Sequence, residues 1–193
     1  MRIAHTMGTD RNARELARLL ALVNVAMADV GFAIWESKYY YQYWRPVTGI
    51  READKGTGPT GLGDGNPATT GDKDYLPLRA PASNLTGPNF TPPFSTYSSG
   101  HAGFGGALFE MLRNFYRSDR IAFSFVSDKF NGVTWDNAGN IRPVVERRFS
   151  SSRIYLGIHW SFDATEGITQ GNRVADYVFT HALQPRHQRG NGR

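Results

Sequence analysis

From Asp10 to Trp44 the chain contains no proline and a single glycine, Gly31. Leu16, Leu19, Leu20, Val23, Met27, Val30 and Ile34 recur at spacings of three and four, the period of a helix with one apolar face. A helix of that length predicts a core built by other helices packing along it. Pro46 ends it, because a proline ring disfavours helical geometry in the residue before it. Arg18, Asn24 and Asp29 interrupt the most apolar part, Leu16 to Trp35. A spanning helix needs about 20 nearly uncharged residues, so this one reads as a core helix and no transmembrane segment is expected.

Further helices are predicted over Ser99–Tyr116, Arg120–Phe130, Val144–Tyr155 and Ser161–Leu183, the first carrying Phe104, Leu108, Met111, Leu112 and Phe115 on one face. No segment alternates as a half-buried strand does, so the class is all-α. Residues 48–97, dominated by Gly, Pro, Asn, Asp and Thr, form a long irregular loop of the kind that is functional when it sits inside a compact domain. With 193 residues and about 150 per domain, one helical domain over 1–183 is expected, followed by a flexible basic tail at 184–193. The matches to a glycosylation pattern at Asn84 and Asn89 read as chance. Met1 to Asp10 lacks the apolar core of a signal peptide, which points to the cytoplasm.

There is no cysteine, which excludes disulfides, thiolate metal sites, iron–sulfur clusters and a thiol nucleophile. Net charge is +5, yet the basic residues form no stripe that tracks a nucleic-acid backbone, so the expected anionic partner is small. Three clusters place ionisable groups beside apolar helix faces. Lys38 and Arg45 lie seven apart, close to two helical turns, and Trp35 shares their side. Two such cations suit a polyvalent oxyanion, or else form a solvated basic stripe. Ser99, Gly100 and His101 follow Pro92 to Ser98 at a predicted helix start, where backbone amides and a hydroxyl receive an anion. The plainer alternative is an ordinary Ser99 cap with a solvated His101. His159 and Asp163, four apart, allow a carboxylate to hold an imidazole by its Nδ1–H and leave Nε2 free, with Arg153 as a third cation; taken alone, a core hydrogen bond explains that pair as well. No His-x-x-x-His and no clustered acids suit zinc, calcium or magnesium. Gly100, Gly103, Gly105 and Gly106 match no dinucleotide or Walker pattern and read as close helix packing.

Together the clusters read Lys-x6-Arg-Pro at Lys38 to Pro46, Ser-Ser-Gly-His at Ser98 to His101, and Ser-Arg-x5-His-x3-Asp at Ser152 to Asp163. This resembles the signature of the vanadium-dependent haloperoxidases and type 2 phosphatidic acid (class A acid) phosphatases, with Ser98 where the family usually has proline. The likeness covers about Asp10 to Leu183 and, through Trp35–Arg51, Ala80–Asn84 and Pro92–Phe109, leans to the chloroperoxidase type. The resemblance implies a helical bundle and vanadate as cofactor, held on His159 and surrounded by Lys38, Arg45, Ser99, Gly100 and Arg153. It implies His101 as the acid–base group, Lys38 as the group polarising peroxide, Asp163 as support for His159, and Trp35 and Phe94 on the halide side of the pocket. Hydrogen peroxide, chloride or bromide, and a small organic acceptor are the implied partners, and hypohalous acid the product. The same atoms would serve an acid phosphatase working through a phosphorylated His159. Family members usually carry more chain before the Lys-x6-Arg-Pro helix, and 37 residues precede Lys38 here. Missing N-terminal bundle helices, and with them an inactive or oligomer-dependent oxyanion-binding module, form a third expectation, as does a homo-oligomer.

Overall fold

The structure, a computed structural model, describes residues 1–78, 91–121, 123, 125–126, 135–136 and 153–184. Its described elements are α1 (Arg2–Thr6), a 3-10 turn (Thr9–Arg11), α2 (Ala13–Tyr41), α3 (Pro46–Arg51), α4 (Gly100–Tyr116), β1 (Phe125–Val126), β2 (Trp135–Asp136) and α5 (Ser161–His181). The architecture is helical, as the periodicity predicts.

α2 begins where Asn12 caps it, its side chain accepting from the Arg14 and Glu15 amides at 3.1 and 3.3 Å. Leu19, Leu22, Ala26, Val30, Ile34 and finally Lys38 make its buried stripe. Leu22, Ala26, Val30 and Ile34 pack with Ala107 and Met111 of α4 and Ala175 and Val178 of α5. A smaller cluster of Ala4, Leu19, Phe109, Leu112 and Ile121 closes the end near α1. By length and composition alone the α2 region is apolar enough to cross a membrane. Its buried stripe packs on α4 and α5 as a core helix does.

α4 and α5 approach closely because their facing positions are glycines. A Cβ on Gly106 would lie 2.7 Å from the Ile168 carbonyl, and one on Gly171 would lie 2.7 Å from the Ala107 amide nitrogen. Close packing is thus the reason for Gly103 and Gly106 of α4, as the sequence suggests, whereas a Cβ on Gly100 would meet nothing within 4 Å, which corrects the packing reading at that position.

Several boundaries differ from expectation. The first helix stops at Tyr41, where Gln42 adopts a left-handed conformation (φ 47°), and Pro46 starts a new short helix instead of merely ending the old one. Proline is well suited to the first turn, whose amide has no intrahelical partner. The helix expected over Arg120–Phe130 is interrupted: Phe125 and Val126 pair antiparallel with Trp135 and Asp136. The predicted helix Val144–Tyr155 lies mostly outside the described residues; its last residues, Arg153 to Tyr155, are helical. The tail from 185 and the segment around Ala80–Asn84 and Asn89 also lie outside them. The long loop opens with α3, and its described part is tied by local bonds. The Asp64 amide donates to the Ala53 carbonyl (2.9 Å), and the Asp54 carboxylate accepts from the Gly71 amide (2.9 Å).

Candidate active site

The site forms where the end of α2, the start of α3, the irregular segment Phe94–Ser99, the start of α4 and the turn before α5 converge. Lys38, on the last full turn of α2, is buried, and its Nζ donates to the carbonyls of Ser95 (3.0 Å) and Thr96 (2.8 Å). Arg45 is the residue before α3, in extended geometry, and not on the helix of Lys38. The expectation that both cations share one helix face is corrected: they converge because the chain reverses between Gln42 and Arg45. Arg45 Nε donates to the Phe94 carbonyl (2.8 Å), and Nη1 to the Ile158 carbonyl (2.7 Å) and His159 Nε2 (3.3 Å).

His159 lies just ahead of α5, and Asp163 in that helix's first turn. The two are linked, Nδ1 to Oδ2, at 2.9 Å, with both side chains buried. The pairing expected from their spacing is present, although only Asp163 is helical. A residue missed in the sequence joins them. Thr96 Oγ1 donates to Asp163 Oδ2 and sits 3.1 Å from His159 Nδ1, with the threonine fully buried. Because Nε2 faces an arginine N–H it is an acceptor, which assigns the ring proton to Nδ1 and turns the Nε2 lone pair to Arg45 at the wall of the site.

Burial holds the His159 imidazole below its ordinary pKa despite the opposing Asp163 carboxylate, so the ring is neutral at pH 7. Burial, helped by the neighbouring Arg45 charge, lowers the Lys38 ammonium to about 8. Burial likewise lowers Arg45 to about 10, with Arg153 pressing the same way and Asp163 opposing. Arg153 is lowered by burial, and its Nε is buried without a hydrogen-bond partner. The partners of Lys38 and Arg45 are neutral carbonyls and an imidazole. Three cations therefore face one carboxylate, an excess of positive charge in a desolvated place. Such an excess is costly until an anion enters.

The start of α4 offers that anion further donors. Ser99 does not cap the helix with its side chain; its Oγ is buried with no partner, while its amide is tied to the Asp163 carbonyl (2.9 Å). The ordinary-cap reading of Ser99 is thus corrected. At Gly100 the space a Cβ would occupy is open, with no atom within 4 Å, so a ligand can approach that amide closely. Ser98, in place of the usual proline, donates to Gln170 of α5 (2.6 Å), whose amide reaches Ser37 of α2 (3.2 Å). That chain fixes the entry to α4. His101 stands exposed on the first turn of α4. Trp35 and Phe94 form a half-exposed aromatic wall, ring centres 4.9 Å apart, with the Phe94 ring 4.9 Å from the Arg45 guanidinium and 5.4 Å from Lys38 Nζ.

The turn that delivers His159 depends on Gly157, whose φ of 72° favours glycine. Tyr75, from the long loop, donates its hydroxyl to the Gly157 carbonyl (3.2 Å) and so helps to hold the turn. Ser152 lies outside the described residues.

A helical bundle that gathers two buried cations, a half-buried arginine, an unpartnered hydroxyl and a neutral histidine at one end has the chemistry to receive an oxyanion. Its sequence from residue 18 to 188 matches the family described as the VCPO second helical-bundle domain, and the chain belongs to that family. It is 37% identical over 187 residues to vanadium chloroperoxidase of Curvularia inaequalis, an alignment covering 79% of this chain and 29% of that protein. The chain thus spans under a third of the curated relative. Two solved structures share the fold. A bacterial vanadium-dependent iodoperoxidase has TM-score 0.64 and 23% identity, over 93% of this chain and 39% of that one. A bacterial vanadium-dependent chloroperoxidase in its holo form has TM-score 0.58 and 18% identity, over 82% and 34%.

Proposed function

We propose that this chain carries the catalytic centre of a vanadium-dependent haloperoxidase, oxidising chloride or bromide with hydrogen peroxide. The observation that carries the reading is the unprotonated His159 Nε2 meeting Arg45 in a buried site where, among the described residues, Lys38, Arg45 and Arg153 outnumber the one carboxylate. The residues fit vanadate. Ser99 Oγ and Arg153 Nε are buried donors lacking a partner, and the space before Gly100 is open. His159 would be its protein ligand, with Lys38, Arg45, Arg153, Ser99 and the Gly100 amide around its oxygens. Bound there, vanadate would supply the electrophilic centre for peroxide activation and oxygen transfer to halide.

The chain's own residues do the rest. Lys38 and Arg45, pinned by backbone carbonyls, hold fixed positive charge where oxygen charge develops. Asp163 and Thr96 keep the His159 proton on Nδ1. His101, exposed at the rim, is placed to exchange a proton with solvent. Trp35 and Phe94 give halide and acceptor an apolar approach.

Paired assays test this: peroxide- and bromide-dependent bromination of a dye, and hydrolysis of a chromogenic phosphate ester, each with and without orthovanadate. Bromination that requires vanadate and is lost in His159→Ala is expected. Ester hydrolysis inhibited by vanadate, without bromination, overturns the reading in favour of a phosphatase.

A further inference from the structure

Behind the cradle lies a cavity of about 460 Å³ that the reaction above does not use, walled by Tyr41, Tyr43, Trp44 and Trp160 together with Glu52 and Asp64. It shares two stretches of backbone with the cradle, since Trp44 adjoins Arg45 and Trp160 adjoins His159. In charge it is the cradle's opposite. Among the described residues its walls carry two carboxylates and no basic side chain, in a chain whose net charge is +5.

The walls are built in advance. Trp160 Nε1 donates to the Trp44 carbonyl (2.8 Å), and its ring packs so closely on Gly49 that a Cβ there would lie 2.9 Å away. The opposite wall is the loop tied by the Asp64 amide to the Ala53 carbonyl (2.9 Å), with Gly63 at a φ of 68° that favours glycine. Asp64 stays ionised, because the Thr69 hydroxyl (2.7 Å) and Asn66 amide (2.8 Å) hold its carboxyl below the usual range. Glu52 Oε2 is buried without a hydrogen-bond partner. Electron-rich ring faces attract ammonium groups, and adjacent carboxylates add charge complementarity. The volume lies within the usual range of small-molecule sites.

We propose that this cavity binds an organic ammonium ion, its charged head between the aromatic rings and the Glu52 and Asp64 carboxylates. The site goes beyond the haloperoxidase reading and stands without it. The test is accordingly run with no vanadate, halide oxidation or peroxide. Choline and its uncharged carbon isostere, 3,3-dimethyl-1-butanol, are titrated into the full chain, followed by tryptophan fluorescence and calorimetry. Tyr41, Tyr43 and Trp44 are about half exposed, so choline is expected to bind about three- to fivefold more tightly than the alcohol, the scale of a solvent-accessible cation–aromatic contact. Glu52→Gln and Asp64→Asn are each expected to weaken choline and leave the alcohol unchanged, with the parent's helical circular dichroism and cooperative melting retained as proof of an intact fold. Equal affinity for the two compounds, absence of saturable choline binding, or affinity unchanged in both variants overturns the proposal.

Discussion

A single hydroxyl mediates between the imidazole and the carboxylate at the centre of this site. Thr96 Oγ1 has one proton and gives it to Asp163, so Nδ1–H of His159 is left to donate to the same pair of oxygens. Thr96→Val keeps the shape and removes the hydroxyl. It is expected to weaken orthovanadate binding about tenfold, the upper range of one hydrogen bond, while Thr96→Ser restores it. Equal affinity in all three proteins, measured by calorimetry, would show that Asp163 alone orients the ring. Lys38 makes a second prediction. Its pKa is about 8 in the fold against 10.5 unfolded, so between those values the unfolded chain holds a proton that the folded chain has released. Stability of the anion-free protein therefore rises with pH across that window, and the cost of burying the charge is fully present below it. Melting curves from pH 7 to 10.5 should show this rise in the parent and lose it in Lys38→Met. The ionisable residues of the site were legible in the sequence because each interrupts an apolar or glycine-rich run at a recognisable spacing. Thr96 was not: its role arises from the path of a non-helical segment against α5, which no period encodes.

At the scale of elements, the sequence revealed helices through their periods but not where they end. Lys38 to Arg45 reads as two helical turns, yet Gln42 turns left-handed and Arg45 leaves the helix, so the right residues meet for a different geometric reason. Phe125–Val126 likewise pairs with a strand that local preference does not announce, since its partner, Trp135–Asp136, is defined only by tertiary pairing. Gly103 and Gly106, by contrast, are the packing positions the sequence suggests, Gly100 is not, and the consequences of a side chain differ from one glycine to the next. On Gly171 of α5 a Cβ would press on the backbone of α4, 2.7 Å from the Ala107 amide. Backbone cannot rotate aside, so Gly171→Ala is expected to destabilise by about 3 kcal/mol, the upper end of ordinary overpacking. Gly31 of α2 is the internal control. Its Cβ would meet the Phe104 ring at 3.5 Å, an ordinary contact, so Gly31→Ala is expected to gain up to about 1 kcal/mol of helix propensity. Denaturant titration of both variants checks the pair, and similar losses in each would refute the close-packing account.

For the molecule as a whole, the cradle is a joint. It draws side chains from α2, the residue before α3, the segment entering α4 and the turn before α5, so an anion seated there ties all of them to the folded state. The same concentration of charge is a weakness when empty, because among the described residues two buried cations and a half-buried arginine face one carboxylate. Any ligand that binds only the folded chain stabilises it by about 2.7 kcal/mol at one hundred times its dissociation constant. For a chain of this size each kcal/mol moves the melting temperature by about 2–4 °C, so orthovanadate should raise it by about 8 °C. A basic protein of net charge +5 also responds to salt in general, and that response must be separated from binding. Sodium chloride at matched ionic strength supplies the screening without the tetrahedral oxygens, and should reproduce little of the rise. Arg153→Gln should abolish most of what remains, because it removes a half-buried guanidinium whose buried Nε has no partner in the fold. A rise that chloride matches, or that survives in Arg153→Gln, would assign the stabilisation to the surface and take the oxyanion out of the cradle.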